Sequence, residues 1–525
     1  MAALSFLALL IGGAFAGLVA EASGSLGAAV AAFDGYLLRV MRFTLLQASL
    51  STLLSVLPAI LIARALARHP QFPGRGLILS LFAVPLALPA IVAALGVLAL
   101  YGRAGYLAPY LSILGNSHWE GIYGLSGILV AHVFFNLPLA ARLLLASLES
   151  VPGNHWRLGA QLGMGPLASF RFIEWPVLRG SLPQVAALVF MLCVTSFTIV
   201  LTLGGGPRAT TLEVAIYQAL RFDFDLARAL ALTVAQVALT LLIVLILARL
   251  GATITADANL PTAPRRIVFA GKVETTLNSL LILLALLFVA GPMAATFMAG
   301  IDADLARLAQ DKAVIHATVT SLVLATLSAL LSVVISTALI MARRQLELER
   351  RTEGRGILEH LSDAGASFVL IIPPVVIGAG WFILLRHFGS VFSFAPLMVV
   401  TVNAAMAMPF AMRVLRPAHD AASARHEKLC ASLGIRGINR LRLVEWPVLR
   451  RPMAVAFAFA MALSLGDLGV IALFGSDAVQ TLPYLLLQRM GSYRTDDAAG
   501  LALFLGLLCL LLMLVASRLS RERHP

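Results

Sequence analysis

Charge is scarce in this sequence: only 12% of its 525 residues are Asp, Glu, Lys or Arg. A soluble domain carries roughly 25%, so a water-exposed globular surface is excluded. Cysteine is scarcer still. Cys193, Cys430 and Cys509 stand alone without CxxC spacing, which excludes a disulfide framework and a cysteine-based zinc site and leaves them as packing residues. The net charge of +13 comes without any long Lys/Arg run, so a nucleic-acid partner is not indicated. No Gly-rich stretch ends in GK[ST], and no HExxH, Ser/His/Asp or paired-carboxylate arrangement stands out. The chain therefore lacks a nucleotide-hydrolysing cradle of its own and does not read as an enzyme.

What the sequence has in abundance is apolar length. Hydrophobic residues make up 60% of it, and the mean hydropathy is +0.92. Stretches long enough to cross a hydrocarbon core, about 20 residues each, fall near 3–20, 44–66, 77–100, 122–147, 183–203, 229–249, 277–299, 314–341, 364–385, 393–415, 453–474 and 498–518. That predicts an all-α membrane protein of about twelve transmembrane helices. The first stretch lacks a basic leader and runs into Glu21, so it reads as a retained span rather than a signal peptide. Arg64, Arg68 and Arg75 follow the second span, Arg157, Arg171 and Arg179 the fourth, Arg265, Arg266 and Lys272 the sixth, and Arg343, Arg344, Arg350, Arg351 and Arg355 the eighth. The positive-inside rule places these loops, and with them both termini, in the cytosol. Asp223, Asp225, Asp302, Asp304, Asp311, Asp477, Asp496 and Asp497 occupy the intervening, outward loops.

The halves repeat. Pro138 and Pro409, Arg142 and Arg413, Gly163 and Gly434, Glu174 and Glu445, Trp175 and Trp446, and Pro176 and Pro447 are each 271 positions apart. "LLSV" at 53–56 recurs at 330–333, and "LPAIVAALG" at 88–96 is echoed by "IPPVVIGAG" at 372–380. Six spans duplicated in tandem keep one orientation, so the repeats are parallel, about an axis along the membrane normal. The division expected is a first permease repeat over 1–250, a cytosolic linker over 251–275 and a second repeat over 276–525.

The repeat places its strongest likeness in two cytosolic loops, "FRFIEWPVLRG" and "LRLVEWPVLRR" with the segments before them. A short helical stretch opens each loop, "HWRLGAQLG" or "HEKLCASLG". Its small residues, Gly159 and Ala160 or Cys430 and Ala431, permit close approach by another surface. Gly163 or Gly434 then suits a left-handed helix end, and Pro176 or Pro447 interrupts backbone bonding and turns the chain toward the membrane. Interfacial helices anchored by tryptophan are the simpler reading of one copy. Two copies at one topological position point instead to a docking site.

At this point the loops resemble the coupling loops of ABC importer permeases, whose short helix docks in a cleft of an ATPase subunit. Arg157 and Lys428 stand where that family has a leading Glu, and Trp175 and Trp446 replace its Leu. "GILVAHVFFNLPLAARLLLASLE", "LTLGGGPRATTLEVAIYQAL", "LSLGDLGVIALFG" and "GSYRTDD" narrow the resemblance to the thiamine permeases of Gram-negative bacteria. The resemblance implies the type I ABC importer permease fold and an inner-membrane location. It further implies two ATPase copies that use ATP and Mg, one periplasmic thiamine-binding protein, and no cofactor or metal bound by this chain. Ferric-iron permeases share the architecture, and an ion-driven transporter of two six-span halves is a rival of another class.

Candidate pathway or gate residues follow from the spans. Asp467, in the eleventh span, aligns with Ser196 of the fifth; an intramembrane carboxylate is costly and serves either as a substrate contact or as support for a helix break. Phe134, Phe190, Phe197 and Trp381 offer aromatic faces to a cation. Pro85, Pro89, Pro373 and Pro374 mark possible helix breaks, and His132 reads as a packed histidine rather than a metal ligand. The GGGP turn at 204–207 leads into an outer segment that either meets a delivery protein or is a plain surface connector.

Overall fold

The computed structural model describes residues 2–114, 119–204, 206–249, 271–349, 372–435 and 437–521, and these contain helices and no strand. Its main helices are α1 (Ala2–Ala31), α2 (Gly35–Arg68), α3 (Ala90–Tyr101), α4 (Leu125–Glu149), α5 (Trp175–Val194), α6 (Leu226–Arg249), α7 (Lys272–Asp302), α8 (Lys312–Glu349), α9 (Pro374–Leu385), α10 (Ala395–Ser432), α11 (Trp446–Gly466) and α12 (Thr495–Arg521). Ten of them are long and apolar enough to cross a membrane. The other two are α3, the second arm of a span bent by 112° against Arg75–Ala87, and α9, within the shorter apolar helix Pro374–Phe388. The expected ninth span, 364–385, begins outside the described residues, as do the linker up to residue 270 and Arg350, Arg351 and Arg355.

Sequence period explains which faces are wet by lipid. On α7, Leu277, Leu280, Leu284 and Leu287 are exposed while Ile282, Ala285 and Val289 are buried. Three- and four-residue steps put each set on one side of a helix, and exposed leucine is stable there only if the solvent is hydrocarbon.

Packing follows the repeat. Helix α2 lies along α4 and α5, and α8 lies along α10 and α11. Hydroxyls at matching places fix the short helices Leu212–Arg221 and Leu482–Gly491: the Leu212 N–H donates to Thr44 Oγ1 at 3.1 Å and the Leu482 N–H to Ser321 Oγ at 2.7 Å. Each bond satisfies a donor that a helix start leaves without a partner.

The two repeats also embrace. Helix α1 packs along α9 of the second repeat, and α7 packs along α3 of the first. Close backbone approach makes this possible. A Cβ on Gly17 would strike the Gly380 carbonyl, and one on Gly96 would strike the Pro292 carbonyl and Thr296. Gly96 and Gly380 are the residues that end the two similar segments at 88–96 and 372–380.

Candidate functional site

The first paired loop opens on the helix Gly153–Gln161, and the second is opened by the end of α10. Gly163 and Gly434 take φ of +63° and +65°, the left-handed conformation that glycine adopts without a Cβ penalty. The Met164 N–H donates to the Gly159 carbonyl at 3.0 Å, the Gly163 N–H to Ala160 at 3.1 Å, and the Ile435 N–H to Cys430 at 2.9 Å. These bonds close the helix ends and fix where the next segment starts.

The small residues do not all face outward. Gly159 and Cys430 are buried, and Gly159 lies against Ile173 and Met164 of its own loop. Their smallness lets the opening segment lie close to its own surroundings, which corrects the expectation that they meet another surface. Arg157 and Ala160 are exposed, whereas the side chains of Lys428 and Ala431 lie outside the described residues. Leucine supplies the outward face: Leu158 and Leu162 are 55% and 64% exposed, and Leu429 and Leu433 are 55% and 63% exposed. Each pair is four residues apart, one helical turn, on one face. The 271 spacing relates the pairs to each other, so the signal lies in "RLGAQLG" and "KLCASLG" as leucines four residues apart on either side of the small ones.

Glu174 is 2% exposed in its side chain and is held by α2. Arg64 Nε donates to its Oε2 at 2.7 Å and Arg68 Nε to its Oε1 at 3.0 Å. Arg68 also pairs with Glu274 at the start of α7, and both arginines donate to the Pro166 carbonyl, at 3.2 and 3.1 Å. The first loop is thereby tied to its own repeat and to the other. Glu445 accepts from the nearby Arg440 Nε at 3.0 Å, and Met341 and Gln345 stand where Arg64 and Arg68 would recur, 277 positions on.

Pro176 and Pro447 do not stop a helix. Phe170–Glu174 and Leu441–Glu445 form π-helical turns that run directly into α5 and α11, with each proline at the first turn of the α-helix. Proline needs no hydrogen-bond acceptor, and the wider π turn accommodates its ring. Trp175 and Trp446 remain exposed.

Both expected spans at 183–203 and 453–474 are broken. After α5 the chain passes Thr195–Phe197 before the helix Thr198–Leu203, and after α11 it passes Asp467 and Leu468 before Gly469–Phe474. The Asp467 carboxylate accepts weakly from the Val470 N–H at 3.5 Å, and Thr195 Oγ1 donates to the Met191 carbonyl at 2.9 Å; such local bonds compete with the helix ladder. Ser196 meets His132 Nε2 at 2.8 Å, and Ser51 meets His132 Nδ1 at 2.9 Å. His132 thus joins α2 and α4 to the first break. In the second repeat, Asn403 Nδ2 donates to Ser464 Oγ at 3.0 Å. Phe197 packs on Tyr217 edge to face at 5.4 Å. Phe134 is buried against Phe135, Phe190 is half-buried, and Trp381 lies against Gly13 of α1 with its Nε1–H donating to the Leu10 carbonyl at 2.8 Å. Trp381 therefore packs where α1 meets α9.

Residues 338–521 match the family model described as "Binding-protein-dependent transport system inner membrane component". The thiamine transport system permease protein of Brucella abortus (strain 2308) is 61% identical to the chain over 521 residues, 99% of this chain and 95% of that protein. Its Escherichia coli (strain K12) counterpart is 45% identical over 93% of this chain and 90% of that protein. That of Haemophilus influenzae is 39% identical over 96% and 93%. The chain belongs to the thiamine transport system permease family. As such a permease it is a multi-pass inner-membrane transport subunit with the type I importer fold, and its family works with a substrate-binding protein and an ATPase.

Proposed function

We propose that the chain is the translocation subunit of an ATP-driven importer that carries thiamine, and its phosphate esters, across the inner membrane. The two repeats, 1–250 and 276–525, each present one cytosolic coupling loop, 154–176 or 425–447, to one of two ATPase copies, which use ATP and Mg. One periplasmic thiamine-binding protein delivers cargo to the opposite face, and both termini lie in the cytosol. When ATP closes the ATPases, their movement passes through the loops into α5 and α11, which continue from the loops without a joint and end at the two breaks. The cavity between the repeats then changes the side to which it opens.

For the cargo, the support is the 61% identity to a thiamine permease over nearly the whole chain. For the coupling, it is the repeated pair of exposed leucines on an otherwise capped and anchored loop. Uptake of labelled thiamine into proteoliposomes holding the permease, its ATPase and its binding protein tests the whole reading. Uptake that requires ATP and all three components is expected; uptake driven by an ion gradient without the ATPase would overturn it.

A further inference from the structure

Glu213 lies in the short helix Leu212–Arg221 and is buried, and neither of its carboxylate oxygens has a hydrogen-bond partner among the described residues. The buried Gln236 amide, on α6 beside that helix, is also without partners there. Polar groups so deep are normally satisfied, because leaving them bare is costly.

The face that Glu213 shares is informative. Glu213, Tyr217 and Arg221 follow at steps of four, which keeps them within about 80° of the helix circumference. Tyr217 packs on Phe197 at the first break. Arg221 crosses to the second repeat, where its Nη2 donates to the Gly475 carbonyl at 2.9 Å and to Tyr484 Oη at 3.2 Å, and its guanidinium lies 4.9 Å from the centre of the Phe392 ring. Arg221 therefore brings the far end of the stripe to the seam between the repeats, where two-repeat transporters bind their substrates, while the Leu212 N–H ties its start to α2 of the first repeat. The helix Leu482–Gly491, fixed by a hydroxyl in the same way, carries Pro483, Leu487 and Gly491 at the matching places. Only one repeat holds the carboxylate.

We infer that Glu213, with the rings of Tyr217 and Phe197, forms a single cation subsite on the seam that takes the charged ring of the cargo during its passage. The inference rests on the proposed thiamine transport. A quaternary ring cation has no N–H to donate, so it is recognised by a counter-charge and by aromatic faces. A buried carboxylate that no group among the described residues engages keeps both oxygens available to a cation. One carboxylate, present in one repeat, suits one asymmetric ligand.

The experiment compares uptake by the full complex for thiamine and for its neutral isostere, with thiophene in place of the thiazolium ring. Glu213→Gln is expected to raise the thiamine KM on the order of tenfold, the effect of losing about 1.4 kcal/mol of binding, and to leave the KM for the isostere in place. Glu213→Met, which removes the bare carboxylate, is expected to hold or raise the thermal midpoint of the empty complex. If Glu213→Gln fails to assemble, Tyr217→Leu reads the same preference. An unchanged thiamine KM, or an equal rise for both cargoes, overturns the subsite alone. Absence of thiamine uptake by the unaltered complex overturns the proposed cargo and the subsite with it.

Discussion

A carboxylate with 2% of its surface exposed is not a docking handle, and Glu174 is better understood as the pin that holds the first loop on α2. Arg68, equally buried, depends on Glu174 and Glu274 for its compensation. Removing one partner of a buried ion pair costs about 3–5 kcal/mol, and the surviving Glu274 keeps the loss from Glu174→Gln near the lower end. The partly exposed Arg440 can turn to water when Glu445 is changed, so Glu445→Gln is expected to cost under about 1 kcal/mol. Thermal unfolding of the two variants checks the difference. Equal losses would mean that the arginines of α2 do not anchor the loop. Both glutamates were legible in the sequence, because the 271 spacing marks them. Their partners were not: Arg64 and Arg68 lie over a hundred positions before Glu174, and no local pattern announces a contact made only when two helices pack.

Among the elements, the loops show how a correct position can carry a wrong account of a side chain. Gly163 and Gly434 do take the left-handed turn that the sequence implies, but Gly159 and Cys430 before them are buried, and the exposed leucines hold the outer face. Helical periodicity could have separated the two faces, since Leu158 and Leu162 are one turn apart while Gly159 lies on a different side. Leu158→Asp combined with Leu429→Asp is expected to abolish co-purification of the ATPase and leave the permease inserted, because surface changes on a helix rarely unfold it. Retention of the ATPase at wild-type yield would move the docking site off these helices. Gly163→Trp with Gly434→Trp should act in the same direction: open space surrounds both glycines, but a tryptophan would stand on the docking face and strain a positive φ.

At the scale of the molecule, the duplication was plain in the sequence but the exchange of first spans was not. A gapless 271-residue offset gives the order and sense of the helices; it does not say that α1 leaves its own third span to lie on α9. That follows from which surfaces can approach closely, and glycine makes the choice. Gly17 meets the Gly380 backbone directly, whereas Gly12 on the same helix has open space around it. Leucine at the two positions therefore separates interface from lipid exposure on one element. Gly17→Leu overpacks a backbone contact and is expected to cost about 1–3 kcal/mol or more, seen as a lower thermal midpoint and weaker cross-linking between α1 and α9. Gly12→Leu, turned to hydrocarbon, is expected to change neither, because leucine is at home there. If both variants behave like the unaltered chain, α1 does not hold the repeats together, and the embrace contributes nothing to the pairing through which two loops could move one pathway.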